Sequence, residues 1–201
     1  MKTKKLSIPQ SWHNLRCIFV PIPKTGTTSI DRIIQKPHMP HPHPSILEIK
    51  KSLSEEKFNS YFKFSFVRNP WSLTVSVFLN RPYTKNRTWG HKCNNFLDFV
   101  KSYDCASNYC RFVFGMENQL TWITDKNNNL LVDFVGKFEN LEKDFSIVAK
   151  KLNLKYSFPH VNKTKITNRK HYTKYYNDET IEIVYENFKK DIECFGYTFG
   201  K

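Results

Sequence analysis

Residues 17–30 constrain the fold of this chain more than any other stretch, because they read Cys-Ile-Phe-Val-Pro-Ile-Pro-Lys-Thr-Gly-Thr-Thr-Ser-Ile. The apolar run from Cys17 to Ile22 predicts a short strand that is buried on both faces, as strands of parallel sheets are. Two prolines then prevent regular strand pairing, and Gly26 can adopt a backbone conformation that other residues avoid. The stretch therefore predicts a strand, a tight loop and a helix.

The predicted loop is an anion site, most simply for a phosphate, because such a turn directs backbone N–H groups and the positive end of a helix dipole at one point. The hydroxyl groups of four residues add further donors: Thr25, Thr27, Thr28 and Ser29. Thr27, Thr28 or Ser29 is expected to cap the helix. The ordinary P-loop, G-x-x-x-x-G-K-S/T, places its lysine after the last glycine. Here Lys24 precedes the single Gly26, so the loop is not a Walker motif and a metal-assisted ATPase is disfavoured.

A second motif follows the next predicted strand, Tyr61 to Val67. Asn69 as N-cap and Pro70 at the first helical position predict a helix immediately afterwards. Arg68 therefore lies at the carboxyl end of a strand, where open α/β sheets bind ligands, and Ser76 follows on the helix.

The two motifs together resemble those of sulfotransferases that use 3′-phosphoadenosine 5′-phosphosulfate (PAPS). Pro-Lys-Thr-Gly-Thr-Thr-Ser resembles the 5′-phosphosulfate loop of this family, and Arg-Asn-Pro-Trp with a serine eight residues after the arginine resembles its 3′-phosphate element. The resemblance implies an α/β, P-loop-like three-layer fold with a central parallel sheet flanked by helices. With 201 residues the chain is most simply one domain, in which residues 1–15 are expected to be peripheral or poorly ordered.

Later segments resemble the carbohydrate branch of the family, which includes the chondroitin-type and heparan 2-O-type enzymes. The segments are residues 135–145, 159–164 and 175–180 through 191–197, and His43 lies where that branch has a histidine before a helix. The resemblance covers most of the chain from Cys17 to Tyr197, and it implies a carbohydrate hydroxyl as acceptor.

The resemblance also implies which residues bind PAPS. Lys24 is expected to neutralise the charge that develops on the leaving bridge oxygen, as preorganised cations do. The 5′-phosphate would be held by Lys24, Thr25, Gly26, Thr27, Thr28 and Ser29, and the 3′-phosphate by Arg68 and Ser76. Lys163, on a second basic loop, would close over PAPS or meet an anionic sugar, although a solvated charge explains it equally well. No metal is required.

His43 is the expected catalytic base, because a histidine titrates near neutral pH and can take a hydroxyl proton directly. The resemblance places a catalytic histidine there, within a stiff proline-rich segment. His41 is the nearest alternative, and Glu48 and Glu55 are retained because some related enzymes use a glutamate.

Composition limits the partners and leaves other functions open. A formal charge of +14 favours an acidic partner: a polyanion such as an acidic polysaccharide, a membrane surface, or a multiply charged cofactor. No signal peptide or long apolar run is present, so we expect a cytoplasmic protein with no stable membrane insertion, or a luminal Golgi protein if the chain is part of a longer one. The alternatives are a nucleotide-dependent kinase with an atypical loop, a basic nucleic-acid-binding protein and an inactive cofactor binder; the leading hypothesis involves no nucleic acid.

Further elements are predicted along the chain from caps and hydrophobic periodicity. They are a helix from Ser45 to Leu53 with a capping box to Glu48, a strand from Leu130 to Phe138, a helix from Glu142 to Leu152, and a helix from Asp178 to Phe195 that Gly196 ends.

Overall fold

The computed structural model describes residues 6–34, 43–80, 93, 95–102, 118–158 and 170–201. Within these ranges the strands are β1 (Cys17–Val20), β2 (Phe62–Val67) and β3 (Phe134–Lys137). The α-helices are α1 (Gln10–Leu15), α2 (Thr27–Ile34), α3 (Ile46–Lys50), α4 (Glu55–Ser60), α5 (Pro70–Asn80), α6 (Phe96–Lys101), α7 (Leu120–Ile123), α8 (Leu141–Lys151) and α9 (Asp178–Phe195). Short 3-10 helices span Phe138–Asn140 and Tyr172–Tyr175.

The three strands form one parallel sheet in the order β1-β2-β3. Val20 of β1 pairs with Ser65 of β2, and Val67 of β2 pairs with Lys137 of β3. Because the strands are parallel, their carboxyl ends meet at one edge of the sheet, where ligands bind in α/β proteins. The parallel sheet with its helices confirms the predicted α/β class.

The chain divides into two compact units by its internal contacts: Met1–Val67 with Thr121–Lys163, and Arg68–Leu120 with Thr164–Lys201. The sheet lies in the first unit, and every residue of β1 is buried. Phe19 stacks on Phe64 at 5.1 Å between ring centroids, and Phe66 contacts Phe145 of α8 at 6.4 Å. Burial on both faces explains why β1 reads as a continuous hydrophobic run, and the buried phenylalanines of β2 alternate with Lys63 and Ser65.

The second unit has an aromatic core of its own. Phe96 of α6 packs edge-on against Phe78 of α5 at 5.2 Å and against Tyr176 at 4.8 Å. The Tyr176 hydroxyl donates to the backbone carbonyl of Trp71 at 2.8 Å, and Trp71 Nε1 donates to the carbonyl of Ile181 at 3.1 Å. These hydrogen bonds satisfy the polar tips of both side chains while their rings pack in the aromatic core.

Three predicted caps are confirmed. Ser45 and Glu48 form the capping box of α3. Asn69 Oδ1 accepts hydrogen bonds from the N–H groups of Trp71 and Ser72, as an N-cap should. Gly196 ends α9 with a left-handed φ of 63°.

Other local predictions were wrong. Helix α2 begins at Thr27, so Thr27, Thr28 and Ser29 lie in its first turn and none of them is the N-cap. Strand β3 is shorter than predicted because Leu130 pairs with Thr124 in an antiparallel bridge. Helix α3 ends at Lys50 instead of Leu53.

Two helices were not predicted. Helix α4 was missed, and α1 lies within residues 1–15, which we expected to be peripheral. Trp12 of α1 is buried, so its large apolar surface anchors this helix to the first unit. Residues 1–5 and most of the second basic loop, which carries Lys163, lie outside the described residues.

Replacing Gly136 with alanine should destabilise the protein by about 1–3 kcal/mol, the usual cost of overpacking a core. Gly136 faces Phe66 across the β2–β3 pair, and an added Cβ would lie only 2.7 Å from Phe66 Cδ1. Urea unfolding measures the loss. The double variant with Phe66→Leu should lose less stability than the two single variants together, because the smaller side chain makes room. Strictly additive losses would contradict the proposed clash.

Candidate active site

The loop after β1 is closed by its own side chains. Thr25 Oγ1 and Thr27 Oγ1 both donate to the carbonyl oxygen of Ile22, at 2.9 and 2.7 Å. Lys24 and Gly26 both have left-handed backbone conformations, with φ of 67° and 86°. A lysine in this conformation is strained, and such strain is typical of functional loops whose shape is fixed by their surroundings.

This arrangement limits which backbone N–H groups of the loop are suited to an anion. The N–H groups of Ser29 and Ile30 donate to the carbonyl oxygen of Gly26. The N–H groups before them, at the start of α2, have no intrahelical acceptor and are the ones suited to an anion. Because Thr25 and Thr27 are buried and give their hydroxyl protons to Ile22, we expect them to contribute backbone N–H groups instead.

Gly26 is required by space as well as by conformation. A Cβ on this residue would lie 2.8 Å from Leu141 Cδ2 and 3.4 Å from Phe138 Cδ2. The loop thus packs closely against the segment that leads into α8. Any larger residue would require the Leu141 side chain to move, in addition to adopting a left-handed φ that favours glycine.

His43 contacts the same loop. Its Nδ1 lies 2.7 Å from the carbonyl oxygen of Pro21, three residues before Lys24 in the chain. Because a carbonyl oxygen only accepts, Nδ1 carries the proton and the lone pair of a neutral ring is on Nε2. The structure therefore brings the predicted base to the predicted phosphate loop, in a defined tautomer.

The alternative bases are placed differently. Glu48 Oε2 accepts from the backbone N–H and the hydroxyl of Ser45, at 2.8 and 2.9 Å, so this carboxylate is engaged in the capping box. Glu55 lies exposed in the first turn of α4. His41 and Lys163 lie outside the described residues.

In the second unit, Arg68 follows the last residue of β2 directly. Its Nε and Nη2 donate to Ser72 Oγ at 3.1 and 2.8 Å. Ser76 is one helical turn further along α5, on the same face as Ser72, and both Arg68 and Ser76 are 7% exposed. Ser72 was not predicted from the sequence, although its position four residues before Ser76 is a signal that could have identified it.

A second set of contacts holds the backbone of Arg68. Gln119 Oε1 accepts from the Arg68 N–H at 2.8 Å, and Gln119 Nε2 donates to the Arg68 carbonyl oxygen at 2.8 Å. Asp191 of α9 accepts from the backbone N–H groups of Gln119 and Leu120, at 2.7 and 2.9 Å, and from Gln119 Nε2 at 3.2 Å. Gln119 and Asp191 are fully buried. No local pattern indicates these residues, because Gln119 is 51 positions from Arg68 and 72 from Asp191.

The buried carboxyl group of Asp191 predicts a pH dependence of stability. Burial raises the pKa of Asp191 to about 6, although the N–H groups that donate to it act in the opposite direction. The folded chain therefore binds more protons than the unfolded chain between about pH 4 and 6, and stability falls as pH rises through this window. The total effect should be about 3 kcal/mol.

The Asp191→Asn variant isolates this effect. Urea titrations at pH 4 and pH 7 give the free energies of unfolding of wild type and variant. The difference between wild type and variant should change by about 3 kcal/mol from one pH to the other. A difference that is the same at both pH values would contradict the raised pKa.

The chain matches the model of the sulfotransferase family over residues 13–198. It belongs to the sulfotransferase family. This match confirms the family that the two motifs predicted, and membership of this family makes the protein a transferase.

The chain is similar to two other proteins. The chain is 34% identical to an uncharacterized protein of Archaeoglobus fulgidus over 110 residues, which are 53% of this chain and 79% of that protein. It is 24% identical to carbohydrate sulfotransferase 10 of Xenopus laevis over 90% of this chain and 65% of that protein, so it spans just under two thirds of that relative. No solved structure matches the chain.

Membrane-spanning helices and clusters of metal-ligating residues are both absent from the part of the chain that the structure describes. No helix there is long and apolar enough to span a membrane. No group of three or more histidine, cysteine or acidic residues there is suited to hold a metal ion.

Proposed function

We propose that this sulfotransferase moves a sulfonate group from PAPS to a hydroxyl of a carbohydrate acceptor. The observation that carries the proposal is the contact of His43 Nδ1 with the Pro21 carbonyl oxygen, since it connects the predicted base to the predicted phosphate loop. Similarity to a protein named carbohydrate sulfotransferase 10 supports the acceptor class. The two predicted motifs support PAPS as the donor.

Each of the two units carries residues whose chemistry fits one part of PAPS. Lys24 and the N–H groups at the start of α2 offer a cation and donors to the 5′-phosphosulfate, in a loop that only a glycine at position 26 allows. Arg68 offers a guanidinium, and Ser76 a hydroxyl, to the 3′-phosphate. Thr28 and Ser29, both partly exposed, complete the proposed 5′ contacts. PAPS, when bound, supplies an activated sulfonate on a good leaving group.

Lys24 is proposed to stabilise the leaving oxygen. Negative charge grows on the bridge oxygen during transfer of a sulfonate, as it does in phosphoryl transfer through a loose transition state. A preorganised cation at that point lowers the barrier because it does not need to reorganise when the charge appears. The strained backbone at Lys24 supports such a fixed position.

His43 is proposed to take the proton of the acceptor hydroxyl at Nε2. The hydrogen bond from Nδ1 to the Pro21 carbonyl oxygen fixes the ring and its tautomer. The same carbonyl stabilises the positive charge that the ring gains when it accepts the proton.

The positive charge of the chain supports an acidic polysaccharide as the acceptor. Lys163 is still proposed to contact either PAPS or such an anionic sugar. Transfer from sulfur-labelled PAPS to desulfated chondroitin, desulfated heparan and neutral dextran compares acidic with neutral acceptors. We expect label in the acidic chains, and equal labelling of dextran would argue against a polysaccharide chosen by charge.

The donor is tested by a thermal-shift titration with adenosine 3′,5′-bisphosphate, AMP and ATP, each with and without magnesium. A ligand that binds only the folded state raises the unfolding temperature with concentration. We expect the largest shift with the bisphosphate, no dependence on magnesium, and loss of this advantage in Arg68→Ala. Equal stabilisation by ATP with magnesium would favour a kinase, and no shift with any nucleotide would overturn the proposed donor.

A further inference from the structure

Arg68 is held at both ends by side chains that neither sequence motif contains. At its backbone, Gln119 bonds both the N–H and the carbonyl oxygen, each at 2.8 Å. At its guanidinium, Ser72 Oγ accepts two hydrogen bonds. Arg68 is 7% exposed and Gln119 is fully buried, so water competes weakly for these bonds.

The orientation of the Gln119 amide is fixed by Asp191. Asp191 Oδ2 lies 3.2 Å from Gln119 Nε2, and an ionised carboxylate only accepts. The amide nitrogen must therefore face Asp191, and its two hydrogens are used by Asp191 and by the Arg68 carbonyl oxygen. The amide oxygen is then the atom that receives the Arg68 N–H.

The support of Asp191 extends to the backbone of the same segment. It accepts from the N–H groups of Gln119 and Leu120, so the peptide that carries the Gln119 side chain is fixed as well. Each hydrogen bond in the series from Asp191 through Gln119 to Arg68 therefore has a defined donor and a defined acceptor. A fully satisfied buried network of this kind specifies one arrangement, because any other leaves a buried polar group unpaired.

We propose that Gln119 and Asp191 are positioning residues that hold Arg68 ready for the 3′-phosphate, and so set the preference for 3′-phosphorylated nucleotides. The inference rests on the proposed function, in which Arg68 binds that phosphate. Preorganisation of Arg68 lowers the entropic cost of binding, and this gain is available only to a ligand that carries the phosphate.

If Gln119 and Asp191 only stabilised the fold, a different result would be expected. Their replacement would then lower the unfolding temperature and leave the relative affinities of two similar nucleotides unchanged. Adenosine 3′,5′-bisphosphate and AMP differ only in the 3′-phosphate, so the ratio of their dissociation constants reports on the Arg68 site and cancels effects on the rest of the nucleotide.

The experiment is isothermal titration calorimetry with these two nucleotides on the full chain, well below the unfolding temperature of each variant. Gln119→Leu keeps the bulk of the side chain and removes its hydrogen bonds, and Asp191→Asn removes the carboxylate. In both variants the preference for the bisphosphate should fall about tenfold or more, the cost of a disturbed hydrogen bond to a charged group, with AMP affinity unchanged. Gln119→Glu, which keeps an acceptor for the Arg68 N–H and loses the amide donor, should also lower the ratio and serves if the leucine variant does not fold.

Asn118→Ala is the matched control. Asn118 ties the same segment to α9, through the Asn187 carbonyl oxygen and the Asp191 N–H. This variant should melt at a lower temperature and keep the wild-type ratio. A fall in the ratio as large as in Gln119→Leu would overturn a specific role for Gln119.

The outcomes separate the inference from the proposed function. If wild type binds the two nucleotides equally well, the proposed donor fails, and the inference fails with it. If wild type prefers the bisphosphate and the Gln119 and Asp191 variants keep that preference, the proposed donor stands and the positioning role is overturned.

Discussion

Replacing Lys24 with alanine should lower the rate of sulfonate transfer by about 10²- to 10³-fold, the usual cost of removing a group that stabilises developing charge. The reason is that Lys24 supplies a cation in the loop that precedes α2, and its strained backbone conformation fixes the position from which the side chain extends. Binding of adenosine 3′,5′-bisphosphate should also weaken, because the former bridge oxygen is a terminal phosphate oxygen in this product and carries the negative charge that developed during transfer. A rate measured at saturating donor separates the effect on transfer from the effect on binding.

The measurement is transfer from sulfur-labelled PAPS at saturating donor, with calorimetry of the bisphosphate alongside. Lys24→Arg should recover part of the rate, because it restores the charge with a different geometry. Lys143→Ala removes an exposed lysine of α8 in the same unit and should leave the rate unchanged. A Lys24→Ala enzyme with a normal rate and weak nucleotide binding would show that Lys24 only binds the nucleotide.

Replacing His43 with asparagine should lower the rate by about 10²- to 10⁴-fold, the range that general base catalysis contributes. Asparagine is chosen because its amide can still donate to the Pro21 carbonyl oxygen, as Nδ1 does. The local structure should then survive while the basic nitrogen is lost. The variant should also lose the fall in rate at acid pH that a histidine base imposes.

Rates of wild type and His43→Asn across pH 5 to 9 test this, with nucleotide affinity as the check on folding. His171→Asn, a change at an exposed histidine, is the control and should retain wild-type behaviour. If His43→Asn keeps the acid limb of the pH profile, another group is the base. His41 and Glu55 would then be the next residues to replace.

Local features explain why much of the site could be predicted from sequence. Asn69 and Pro70 mark the start of α5 because the cap and the missing N–H of proline act within one turn. The predicted N-cap of α2 was wrong because such local rules cannot choose among neighbouring hydroxyl residues, and Thr27, Thr28 and Ser29 are all suited to cap a helix. In the fold, Thr27 donates to Ile22 and is itself the first residue of α2, so the cap position lies before all three candidate residues.

The sequence by itself determined the parallel strands, the glycine-dependent loop and the helix that follows it, since hydrophobic runs, turn residues and backbone conformation act between neighbours. Only the tertiary structure decided the tautomer of His43 and the fixing of Arg68 by Gln119 and Asp191. These contacts join residues 22, 51 and 72 positions apart. A buried hydrogen bond depends on which polar groups the folded chain brings within about 3 Å of each other, and no local pattern encodes that choice.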